Sequence, residues 1–150
     1  MKTLKQWFDE YAVSHQNPTN KSIHYFCVPA IFFSVVGLLM CVKIIFFNLN
    51  LSIIENLAFL VLIFVMIFYF RISVSMGIKM TVFSIVCLFF NFYISKYFNL
   101  LYISIFVFAI AWMGQFYGHK IEGKKPSFLK DLQFLMIGPA WVIENLFSKK

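Results

Sequence analysis

The chain has 150 residues, 61% of them hydrophobic and only 13% charged, with 21 phenylalanines and a mean hydropathy of +0.82. Soluble domains run about 45–50% apolar and about 25% charged, so this composition excludes an ordinary soluble fold and indicates a single-domain, all-α polytopic membrane protein. The net charge of +7 does not indicate nucleic-acid binding: Lys120, Lys124, Lys125, Lys130, Lys149 and Lys150 flank a membrane segment and its tail, where lysines set topology and touch anionic lipid.

Residues 3–14 set Leu4, Trp7, Phe8 and Tyr11 against Lys5, Asp9 and Glu10 at helical spacing, which predicts an amphipathic helix at the membrane interface. Those interleaved charges, with no small-residue cleavage site after a short apolar core, do not read as a cleaved signal peptide. Asn17-Pro18 then signals a helix start, with asparagine as N-cap and proline at the first helical position. A membrane helix needs roughly 20 mostly apolar residues. Four segments meet that need, at about 23–46, 51–70, 80–97 and 100–116. The links between them are short: Asn48-Leu49-Asn50, Arg71 to Lys79 around Gly77, and Lys96 to Asn99. Short links force antiparallel neighbours, so the first span pairs with the second, and the third with the fourth, as two helical hairpins.

The C-terminal stretch 126–147 is apolar again but carries Lys130, Asp131, Gly138-Pro139 and Glu144. It reads as an interfacial or re-entrant helical segment that caps the cytoplasmic face. The three cysteines, Cys27, Cys41 and Cys87, fall in apolar stretches without CxxC spacing and read as small buried hydrophobes. Of the thirteen lysines and arginines, all but Lys43 and Lys96 fall on one side of the resulting topology. That puts both termini in the cytoplasm, whether the membrane is a bacterial cytoplasmic one or the endoplasmic reticulum. The three histidines, His15, His24 and His119, come out on that same face, although they did not enter the count.

Two clusters hold those histidines. The first, His15-Gln16-Asn17-Pro18-Thr19-Asn20-Lys21-Ser22-Ile23-His24, opens the first span, with Pro29 following inside it. In the second, a helix continuing past residue 116 would set Trp112, Gln115, His119 and Glu122 on one face, at spacings of three, four and three. A His and a Glu three apart on a helix can address one ion, with Gln115 as a further ligand or a hydrogen-bond partner. Taken singly, the same residues also serve as helix caps, a proline kink and interfacial histidines. Taken together, imidazole and carboxylate donors with open positions suit non-haem Fe(II), and a three-nitrogen zinc site is the alternative. Three histidines are too few for the di-iron membrane desaturases. A pH-responsive transporter or lipid-binding scaffold competes with a metalloenzyme, but Asp, Glu and His are missing from mid-span, where transport sites lie.

The run His15-x-Asn17-Pro18-x-Asn20-x-x-x-His24 with Pro29, then Gln115-Phe116-x-Gly118-His119-Lys120-x-Glu122 before Pro126, and Gly138-Pro139 with Glu144, resembles the membrane-bound 2-hydroxy fatty acid dioxygenase family, which acts in alpha-oxidation during phytosphingosine breakdown. The donor residues alone leave Zn(II), as in a membrane hydrolase, as the alternative, whereas the resemblance implies an Fe(II)-dependent enzyme. It needs no 2-oxoglutarate, and converts a long-chain 2-hydroxy fatty acid and O2 to an acid one carbon shorter. Carried over by position, His15, His24 and His119 are the ligand candidates, and Glu122 is a ligand or a partner of one. Asn17, Asn20 and Gln115 support or orient them, and Lys120, Lys124 or Lys125 holds the substrate carboxylate. Membrane lipid is the surrounding partner, and no oligomeric state follows.

Overall fold

A computed structural model describes the backbone of residues 2–44, 53–123 and 128–147, and side chains within 2–44, 53–123 and 136–146. Among the described residues the chain is all-α, with six helices: α1 Leu4–Ala12, α2 Pro18–Met40, α3 Leu57–Ile72, α4 Val74–Ser95, α5 Leu100–Glu122 and α6 Phe128–Phe147. Strands are absent there, apart from one isolated bridge between Lys43 and Asn56. Two compact units divide the chain: residues 1–32 with 109–150, and residues 33–108.

In the first unit, α1 starts at a capping box, Gln6 N–H donating to Thr3 Oγ1 and Thr3 N–H to Gln6 Oε1. Its polar face is exposed and Tyr11 is buried, the amphipathic pattern expected for residues 3–14. α1 packs on α6. α2 begins at the Asn17 cap, whose Oδ1 accepts Thr19 N–H at 2.9 Å and Asn20 N–H at 3.4 Å. The helix therefore starts five residues before the apolar stretch predicted from Ile23, because cap and proline outrank the polarity of Thr19 to Ser22. It ends at Met40; residues 45–52, with the Asn48 to Asn50 link, lie outside the described residues. α5 does run past Phe116, to Glu122, and closes on Gly123 at φ 71°, where only a glycine avoids strain. α6 is one helix through Pro139, and its Ile137 to Ile143 stretch is buried.

In the second unit, α3 and α4 form a hairpin; it joins the second and third predicted segments, not the first with the second or the third with the fourth, and its connection is much tighter than residues 71–79. Ser73 alone links them, ending α3 and capping α4 through its side chain on Met76 N–H. Gly77 is not a turn residue: it is helical and buried, and a Cβ there would lie 2.6 Å from the Phe70 ring. Asn91, fully buried on α4, donates to the carbonyls of Cys87 and Phe33 at 2.9 and 3.1 Å, tying α4 to α2. Three helices, Pro18–Met40, Val74–Tyr97 and Leu100–Glu122, are long and apolar enough to cross a membrane, while α3, at 16 residues, is shorter. Phe64, Phe89, Phe90 and Phe106 point outward, as a lipid solvent permits. Of the cysteines only Cys87 is buried; Cys41 is exposed at the end of α2 and Cys27 is intermediate.

Candidate metal centre

The chain folds back after α1 through Ser14 N–H on Tyr11 C=O at 3.3 Å and His15 N–H on Ala12 C=O at 3.0 Å. That turn lays the His15 ring over α1. Its Nδ1 donates to the Tyr11 carbonyl at 2.7 Å, and the imidazole stacks on the Tyr11 ring, centroids 4.1 Å apart and planes 13° from parallel. On α2, His24 Nδ1 donates to the Asn20 carbonyl at 2.9 Å. A carbonyl oxygen only accepts, so in both rings Nδ1 carries the hydrogen and Nε2 the lone pair. This is the outer hydrogen bond by which metal-bound histidines fix tautomer and orientation.

His119, near the end of α5, completes the group. The ring centroids of His15 and His24 are 4.3 Å apart, those of His24 and His119 5.2 Å, and those of His15 and His119 5.8 Å. One nitrogen from each ring lies within 4.8 Å of the other two. A point equidistant from three atoms at that limit is about 2.8 Å from each, a small ring movement away from the roughly 2.0–2.1 Å at which imidazole binds zinc. His15 and His24 are 2% and 1% exposed, and His119 is half-buried. Convergent nitrogens on three imidazoles, two of them buried with fixed tautomers, fit a transition-metal ion.

Glu122 faces the same region but binds protein. Its Oε1 accepts Gln16 N–H at 2.8 Å, and its Oε2 accepts Asn17 N–H at 3.0 Å and Asn20 Nδ2 at 2.9 Å. The carboxylate thus ties the last turn of α5 to the first turn of α2, where helix N–H groups favour a negative charge. Asn17 is the α2 cap, and fully buried Asn20 bridges Glu122 and the Ser14 carbonyl. Gln115 is buried one turn above His119. Lys120 is exposed, and Lys124 and Lys125 lie outside the described residues.

Four contributors lie outside the site residues that the sequence pointed to. Gly114 and Gly118 let α5 lie close on α2: a Cβ at Gly114 would stand 2.5 Å from Cys27 Sγ, and one at Gly118 would overlap Asn20 Oδ1 and reach 3.4 Å from His24 Cε1. Their four-residue spacing is the small-xxx-small signal of close membrane-helix packing. Tyr11 supplies both the carbonyl and the ring that hold His15. Trp141 on α6 stands 6.0 Å from His15, 5.3 Å from Tyr11 and 5.8 Å from Tyr25, walling the histidine from the α6 side. Nothing short of the fold distinguishes these two aromatics from the many others.

Three apolar helices of membrane-spanning length are consistent with an integral membrane protein, and three convergent imidazoles give it a candidate metal site. Among protein families, the chain matches the Mpo1-like model, described as 2-hydroxy-palmitic acid dioxygenase Mpo1-like, over residues 1–150, and it belongs to that family. Comparison with curated proteins and with solved structures returned no match.

Proposed function

We propose that the protein is an Fe(II)-dependent membrane dioxygenase that shortens long-chain 2-hydroxy fatty acids by one carbon. The balanced reaction is R-CH(OH)-COOH + O2 giving R-COOH + CO2 + H2O. The observation that carries this reading is the convergence of His15, His24 and His119 from three chain segments to within 4.8 Å, in a chain of the Mpo1-like family. Three neutral imidazoles accept iron or zinc alike; the dioxygenase description favours iron, whose one-electron chemistry lets O2 react with a closed-shell acid.

The chain's own residues hold and frame that ion. The Tyr11 and Asn20 carbonyls keep the His15 and His24 rings aimed. Glu122, with both oxygens occupied by N–H donors, positions α2 against α5 instead of ligating. Lys120, next to His119, is a cation for the substrate carboxylate, with Lys124 and Lys125 following in sequence. Buried Gln115 orients substrate or a ligand from one turn deeper. The alkyl tail stays in the apolar region, gaining about 0.8 kcal/mol per buried methylene. The topology we infer has four spans, α3 included, with both termini on the cytoplasmic side beside the centre and α1 and α6 at the interface.

The test is metal analysis of anaerobically purified protein, with O2 uptake and product mass on 2-hydroxy-palmitic acid. The expected outcome is about one iron per chain and pentadecanoic acid as product, with both lost in His15→Ala, His24→Ala and His119→Ala. Histidine variants that keep iron and turnover would refute the ligand set. Zinc without O2 uptake would point to a hydrolase.

A further inference from the structure

The α3/α4 hairpin carries a second feature that the histidine centre does not use. A groove of about 640 Å³ runs between the two helices, walled by Leu62, Ile63, Met66, Ile67, Ile85 and Leu88 and closed at one end by Arg71. Ile63, Ile67 and Ile85 are exposed, so the groove is open along its length. On α3 it extends from Phe59 to Arg71, twelve residues or about 18 Å. That is close to half of the roughly 30 Å hydrocarbon core of a bilayer, the depth one acyl chain fills. The volume falls among cavities that enclose a single small ligand.

Two polar groups interrupt the apolar wall in a telling way. Arg71, in the last turn of α3, is exposed and has no ion-pair partner among the described residues. Its guanidinium is permanently charged and its fork matches a carboxylate in two parallel hydrogen bonds. Ser84, 3% exposed and lining the groove, presents a buried hydroxyl with no hydrogen-bond partner, an unsatisfied atom of the kind found on walls that face a ligand. Thr81, by contrast, spends its hydroxyl on the Gly77 carbonyl at 2.8 Å.

We propose that this groove binds one long-chain fatty acid, the carboxylate on Arg71 and the tail along α3 and α4. One cation at the mouth and room for one chain favour a single-tailed monoanion over a two-tailed phospholipid. The groove shares no residue with the histidine centre and needs no metal.

The experiment uses a diazirine-bearing palmitic acid as photolabel on the full-length, detergent-purified protein, with labelled peptides mapped by mass spectrometry. Labelling is expected within residues 59–88, and excess palmitate should compete it. It should fall about tenfold or more in Arg71→Gln, which removes a charged hydrogen bond, and persist substantially in Arg71→Lys. Ile85→Trp, at an exposed wall position, fills the groove without touching the core and should abolish labelling while the protein still elutes as wild type. The His24→Ala variant should label normally, which separates this proposal from the one above. Labelling that ignores Arg71, or spreads evenly over all spans, overturns the proposal. Competition by phosphatidylglycerol as strong as by palmitate overturns the fatty-acid assignment in favour of bulk anionic lipid.

Discussion

Gly118→Ala adds a single carbon where α5 has no room for one. The new methyl would overlap Asn20 Oδ1, and Asn20 cannot swing aside freely, because it is fully buried and its Nδ2 donates to Glu122 at 2.9 Å. Either α5 moves off α2, an overpacking cost of about 1–3 kcal/mol, or Asn20 turns and releases Glu122. The second route forfeits a charge-assisted hydrogen bond of about 1.5–3 kcal/mol, taken at its lower end because Glu122 is only half-buried. By either route the expected loss is about 2 kcal/mol, near thirtyfold in an equilibrium. It should fall on metal affinity as well as on unfolding, since α2 carries His24 and α5 carries His119. Co(II) titration and thermal melts would be run on Gly118→Ala, Asn20→Ala and the double variant. Trimming Asn20 removes the obstacle, so the added methyl should then cost less than about 0.5 kcal/mol. Strictly additive losses in the double variant would refute the steric reasoning.

Three further outcomes follow from the same geometry. Glu122→Gln keeps the shape but offers one accepting oxygen in place of two, so unfolding should weaken by about 1–2 kcal/mol while saturating iron still binds one to one; complete loss of iron would make Glu122 a ligand after all. Ligating imidazoles must be neutral, so bound metal favours their deprotonated form and its stabilisation is present at neutral pH and lost on acidification. Metal content measured alongside far-UV circular dichroism from about pH 8 down to acid unfolding should fall with acid, and full metal content held until the fold itself is lost would argue against imidazole ligation. Gly123→Ala forces a side chain into the left-handed region at φ 71° with nothing within 4 Å to clash, so thermal melts should register about 1 kcal/mol and no more than 2.

Much of the centre was legible because charge and periodicity report on it directly. Charge counting set the three histidines at a common end of the helices, and they do converge to within 4.8 Å; the 115-119-122 spacing oriented α5 once its helix was assumed to continue. Asn17-Pro18 announced the start of α2. The rotation of one helix against another was not legible, since it depends on which small residues permit close approach. Gly77 shows the difficulty: between Arg71 and Lys79 it reads as a loop glycine, yet it is helical beneath Phe70. The helix accepts about 1 kcal/mol of glycine penalty there in exchange for tight packing against a ring. Likewise Glu122 has the spacing of a ligand, and only the return of the chain at Gln16 and Asn17 gives its oxygens other donors. An acidic side chain near a helix end takes whichever partner arrives first in space, and spacing along one helix says nothing of what the preceding turn will offer.

The donors at positions 15 and 24 are synthesised early, whereas the one at 119 follows only after every apolar segment before it has been made. No shorter nascent fragment holds all three nitrogens, so on the proposed ligand set tight cation capture would wait until α5 has met α2. An ion bound at that moment rewards only the assembled state. On the proposed ligand set, uptake would be a late latch on biogenesis, and metal content would double as a gauge of how many molecules have finished inserting.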